Sequence, residues 1–137
     1  MSAHLNHRDQ LLNLRQELLD DLLSRWDHWL HPVRIGRGHN SSAAGCGHYR
    51  VSRQYDDENG ALDDQIEHRV MLGVQACVER LDVRMQAAIH LDARNQHHGT
   101  DDWRTPMLPA TESEARAAIA AARLHLIQLL TSAGLMD

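Results

Sequence analysis

The sequence contains no phenylalanine, and aromatic residues make up only 4% of it. An apolar interior must therefore come from Leu, Ile, Val, Ala and Met, a set that favours helices. Lysine is also absent, so all 14 basic residues are arginine. Each cation is thus a planar fork suited to carboxylate or phosphate. No apolar run approaches the roughly eighteen residues of a membrane span. The N-terminus is polar and lacks a signal-peptide pattern, so the expectation is a cytoplasmic protein without membrane contact. The cysteines number two, Cys46 in a Gly-rich stretch and Cys77 on an apolar helix face. In a cytoplasmic chain this pair is read as free thiols, with Cys77 buried.

Catalytic patterns are missing too. There is no Gly-x-Ser-x-Gly, no His-Glu-x-x-His and no phosphate-binding loop. Gly36-Arg37-Gly38 is too short for a nucleotide fingerprint. Asp56-Asp57-Glu58 and Asp63-Asp64 are explained as helix N-terminal acids. The chain is read as a non-enzyme without a cofactor. Eleven histidines raise the question of metal. His39, Cys46 and His48, with His31, come nearest to a ligand set, but their spacing is not that of a zinc site and no metal is expected there. His97 and His98 are read as charge complementing a helix C-terminus. His4, His7, His28, His90 and His125 are read as solvent-facing.

What is present is helical periodicity. The 137 residues suit one domain, or one domain with an extended arm. Residues 1–30 read as an N-terminal amphipathic helix starting at Arg8. Its stripe is Leu11, Leu14, Leu18, Leu22, Trp26 and Trp29, broad enough to suggest self-association. Trp26 and Trp29 are expected to anchor a core or an interface. Pro32 ends that helix. Residues 31–60 read as a basic, Gly-rich loop or arm, with a turn over Asp56 to Gly60. Residues 61–137 read as a helical core. Ile66 to Arg80 carries Ile66, Val70, Val74, Cys77, Val78 and Leu81 on one face, and Gly73 there permits the close approach of another helix. Asp82 should cap the next helix, Val83 to Asn95, whose apolar positions are Met85, Ala88, Ile89 and Leu91. Gly99 should end it. Pro106 and Pro109 confine any helix between Asp101 and Leu108 to one or two turns. The last helix, Glu112 to Leu130, opens with a capping-box spelling, Thr111-Glu112-Ser113-Glu114. Its face is Ala115, Ala118, Ile119, Ala122, Leu126, Leu129 and Leu130. The expected fold is all-α: a small helical bundle with a C-terminal helix-turn-helix-like pair and a long irregular arm.

Charge divides the chain. The net charge is −5. Yet no acid occurs between Asp27 and Asp56, a gap that holds Arg34, Arg37, Arg50 and Arg53. Outside it, 10 arginines face 19 acids. A basic arm on an acidic body is the pattern of an element that contacts phosphates, with Tyr49 and Tyr55 beside Arg50 and Arg53. The same arginines have an internal alternative, pairing with the acidic body.

Several segments together resemble the Q-type late-gene antiterminators of phages and prophages. They are Arg25-Trp26-Asp27-His28-Trp29, the Gly-containing stretch Gly36 to Gly47, and the acidic lead-in Asp56 to Asp64. Val70 to Leu81 follows, leading to Met85-Gln86-Ala87-Ala88-Ile89, and then Trp103-Arg104 to Leu130. The resemblance covers most of the chain after about residue 20, and its motifs are loose patterns. It implies a helix-turn-helix similar to region 4 of sigma factors, with Arg104 to Leu108 as first helix and the helix from Glu112 as recognition helix. It also implies binding of DNA and host RNA polymerase. Arg104, Ser113, Arg116 and Arg123 become the contacts on that motif, after Arg34, Arg37, Arg50 and Arg53. The sequence departs from the pattern in two respects. Pro106 and Pro109 distort the first helix of the motif. Glu112 and Glu114 stand where a DNA reader usually presents donors. The alternative is a small helical phage-encoded inhibitor of a host machine, whose acidic face at Asp101, Asp102, Glu112 and Glu114 binds a basic protein surface without DNA binding.

Overall fold

The computed structural model describes residues 7–32 and 54–136, without the side chains of residues 54–59. All regular structure among them is helical. Helix α1 runs His7–Leu30, α2 Gln54–Glu79, α3 Val83–His98 and α4 Glu112–Ser132. This is the small all-α bundle expected from the periodicity. No helix among the described residues is long and apolar enough to cross a membrane.

The core forms where four apolar stripes meet. It combines Leu19, Leu22, Leu23 and Trp26 of α1 with Met71, Val74, Cys77 and Val78 of α2. Ala88, Ile89 and Leu91 enter from α3, and Ala115, Ala122, Leu126, Ile127 and Leu130 from α4. The most extensive packing is between α1 and α3. Each fully buried Leu or Ile contributes about 1.5–3 kcal/mol relative to an exposed one. The stripe of α1 is used unevenly. Its second half is buried, while Leu11, Leu14 and Leu18 remain exposed, Leu14 by 51%.

Helix α2 begins earlier than the sequence suggests. The turn expected over Asp56 to Gly60 is helical. Tyr55-Asp56-Asp57-Glu58 and Asn59-Gly60 fall in its first turns. Residues 60–66 are exposed, so Leu62 and Ile66 cover no core. Ile66 therefore does not join the buried face of α2.

The junction of α2 and α3 is built as its sequence indicates. Asp82 is extended, and its carboxylate accepts the Met85 N–H at 2.8 Å. The Gln86 side chain donates to the carbonyls of Leu81 (2.8 Å), in the connection, and Glu79 (3.3 Å), the last residue of α2. Gly99 closes α3 with φ 68°, a left-handed value that favours glycine. Asn95 then staples the outgoing chain. Its Nδ2 donates to the Asp102 carbonyl (2.7 Å), and its Oδ1 accepts from Thr100 Oγ1 and the Asp102 N–H.

Two expectations are corrected beyond that point. Arg104 to Leu108, the counterpart of a first motif helix, is not helical. It makes a single turn in which the Leu108 N–H donates to the Thr105 carbonyl at 3.1 Å. The two prolines remove donors from that stretch and bias the preceding residues away from α geometry. The capping box at α4 is not made either. Thr111 has the backbone of an N-cap, but its hydroxyl accepts no cap hydrogen bond. Glu112 is turned to Arg116 instead.

After α4 the chain folds back. Met136 is buried, and Leu135 packs against α2 at Gly73. A Cβ on Gly73 would lie 2.8 Å from Leu135 Cδ1, so the close approach is to the C-terminal tail rather than to a helix.

Candidate functional site

Trp26 and Trp29 set the end of α1. Trp26 is 0% exposed, and its indole N–H donates to Gln75 Oε1 at 3.1 Å. It is a core anchor. Trp29 is half-buried and donates to His68 Nδ1 at 3.2 Å. Arg25, between α1 and α2, holds Glu67 with two nitrogens (2.5 and 3.1 Å) and Asp21 at 2.9 Å. That fork keeps the Glu67 carboxyl below the usual carboxylate range.

The last turns of α1 and α3 meet in a histidine-rich cluster. Asp27 is 4% exposed, and its Oδ2 lies 2.7 Å from His97 Nδ1 and 3.8 Å from His98 Nε2. The His97 ring packs 4.4 Å from the His98 ring and 5.4 Å from that of His28, centroid to centroid. His90, one helical span earlier, lies 4.8 Å from the Trp26 ring. Burial pushes the His90 imidazole below its ordinary range, and His31 adds to the shift, although part of the residue stays exposed. A cavity of about 460 Å³ opens beside this group, lined by Asp27, His31, His90, Arg94 and His98. An Asp–His pair can orient a general base. This one has no Ser, Thr or Cys on the cavity wall to activate. Asp27, His97 and His98 are the only group of three or more metal-ligating side chains brought together among the described residues.

This cluster was not apparent in the sequence. His97 and His98 do lie at a helix C-terminus, as read, but they face a buried carboxylate 70 residues away. His28 and His90 are surface residues that also contact rings of the cluster. The only early signal was Asp27 itself, an acid beside Trp26 in the last turns of an apolar helix.

The other sequence candidates are dispersed. Arg123 is 12% exposed and is fully engaged inside the bundle. It donates to Asp92 Oδ2 (2.5 Å), Asp20 Oδ1 (2.6 Å), Gln16 Oε1 (2.9 Å) and the Gln16 carbonyl (3.2 Å). It ties α1, α3 and α4 together rather than facing outward. Arg116 forks onto both oxygens of Asp101 at 2.9 and 3.0 Å and reaches Glu112 at 3.0 Å. This holds the Asp101 carboxyl below its usual range. Arg104 is exposed, with its guanidinium 5.1 Å from the Trp103 ring centroid. Ser113 is exposed beside Glu112 and Glu114. Arg34, Arg37, Arg50 and Arg53 lie outside the described residues, as do His39, Cys46 and His48. Cys77 is a buried free thiol whose pKa is raised by that burial. Comparison with protein-family models, with curated proteins and with solved structures finds no match.

Proposed function

We propose that this chain is a non-catalytic transcription regulator of the antitermination kind, with its tasks divided between two parts. The helical bundle docks on a protein, RNA polymerase in this reading, and the basic segment with Arg34, Arg37, Arg50 and Arg53 contacts DNA phosphates. The observation that carries this division is the use of charge around α4. Arg116 and Arg123 are turned onto carboxylates, and the leading turn exposes Glu112 and Glu114. Such a face repels phosphate, so affinity for DNA must come from the acid-free stretch between Asp27 and Asp56. The resemblance to Q-type antiterminators supplies the class. The exposed Leu11, Leu14 and Leu18 support self-association through α1 as a route to a dimer. A cytoplasmic location accompanies this reading.

The second reading is a protein-binding inhibitor without DNA contact. It is favoured by the exposed acids Asp101, Asp102, Glu112 and Glu114 grouped at one end of α4. A gel-shift titration of the full chain with duplex DNA at several salt concentrations separates the two. Retardation at low salt that fades steeply as salt rises is the expected result. No retardation at any salt removes direct DNA recognition and leaves the inhibitor.

A further inference from the structure

Adjacent histidines at a helix end usually face water and complement the helix dipole. His97 and His98 also share one carboxylate oxygen, and that carboxylate is buried. The hydrogen-bond partner of the Asp27 side chain is His97, which carries charge only when protonated. A buried carboxylate held by imidazoles is costlier than one held by a permanent cation. It is the arrangement that a bound cation relieves.

We propose that Asp27, His97 and His98 form a binding site for one divalent transition metal ion of the Zn2+ type. Zn2+ takes imidazole nitrogen and carboxylate oxygen at about 2.0–2.2 Å in a tetrahedron, which places neighbouring ligand atoms about 3.3 Å apart. The two observed separations, 2.7 and 3.8 Å from Asp27 Oδ2, lie on either side of that value. All three ligand atoms fall within 4.8 Å of one another. Side-chain rotations at His97 and His98 must close the longest of these separations, by up to about 1.5 Å, to reach coordination distance. The fourth position faces the cavity, whose wall also carries His31 and His90 as imidazole donors. Water fills it otherwise.

The donor set also selects the ion. Ca2+ and Mg2+ need several oxygen ligands, and one carboxylate is too few. Arg94 on the cavity wall repels any cation, so binding must rest on direct ligation by nitrogen. The site joins the last turn of α1 to the last turn of α3. A bound ion therefore clamps the C-terminal ends of the two most extensively packed helices.

The test uses Zn2+ alone as probe on the full chain, with binding followed by calorimetry and by the thermal midpoint with and without chelator. Zn2+ should bind and raise the midpoint. His98→Gln, at an exposed position, should keep the metal-free midpoint close to wild type, and His97→Gln and His98→Gln should each weaken Zn2+ binding by about 100-fold or more, beyond the roughly 10–100-fold typical of losing a supporting partner. Cys46→Ser and His48→Ala should bind Zn2+ like the wild type. Co2+ should give visible bands without a thiolate charge-transfer band. Absence of Zn2+ binding overturns the site. So does binding that survives His97→Gln and His98→Gln, or that is lost in Cys46→Ser.

Discussion

At the scale of single residues, the fold depends on charges that it has taken inside. Arg123 is the clearest case. Its guanidinium satisfies a buried carboxylate on α3 and both a side chain and a carbonyl on α1. Asp20 is half-exposed and can turn to water when Arg123 is removed. Asp92 cannot, because it is itself buried. Removing one partner of such a pair costs about 3–5 kcal/mol, mostly the penalty of the stranded charge. Arg123→Ala should therefore lower the unfolding free energy in urea by about 3 kcal/mol. Restoring an uncharged side chain opposite it, in Arg123→Ala with Asp92→Asn, should recover part of that loss. If Arg123→Ala is neutral, the network is ornamental and the residue is free for an external partner. Arg116 is the contrast. Its carboxylates are exposed, and water and salt screen such pairs, so they add little to stability.

At the scale of helices, the two N-termini with assigned caps test how far local spelling controls local structure. Asp82 and Thr111 both have extended cap backbones. Only Asp82 makes the side-chain bond, because the Thr111 end is organised by Arg116 bridging Glu112 and Asp101. Losing a working N-cap costs about 1 kcal/mol. Asp82→Ala should shift the urea midpoint by that amount with an unchanged slope, whereas Thr111→Ala should leave it within a few tenths of a kcal/mol. Equal losses in the two variants would show that Thr111 caps in solution. The same scale explains what the sequence made legible. Helix existence, the Asp82 and Gly99 boundaries and most buried positions of α3 and α4 follow from period and caps, which are local. The early start of α2 and the exposed first half of α1 do not. They depend on which neighbour each turn meets, and the apolar spacing of Leu11, Leu14 and Leu18 is the same whether or not a neighbour is there. The Asp27 cluster was illegible for a related reason. Its members are 70 residues apart, and neither half has a ligand spacing of its own.

At the scale of the whole molecule, the decisive property is where unbalanced positive charge lies. Ten arginines outside the acid-free stretch face 19 acids, and the structure turns several of them onto carboxylates. A polyanion approaching the bundle meets a net negative field. Any DNA affinity should therefore reside in Arg34, Arg37, Arg50 and Arg53, and its salt dependence should count them. Each phosphate contact contributes about 0.9 to the slope of log affinity against log salt. Replacing all four by Ser should reduce that slope by about 3 to 4. Replacing Arg116 by Ser should leave the slope where it was, because its guanidinium is already committed to Asp101 and Glu112. The reverse ranking, a slope insensitive to the four arginines and lowered by Arg116→Ser, would return DNA reading to α4. It would require Arg116 to leave Asp101 and Glu112 for phosphate, giving up one bidentate and one single contact for a ligand that two neighbouring carboxylates repel. That exchange is unfavourable in the geometry observed, which is why the acid-free segment rather than the terminal helix is expected to set the slope.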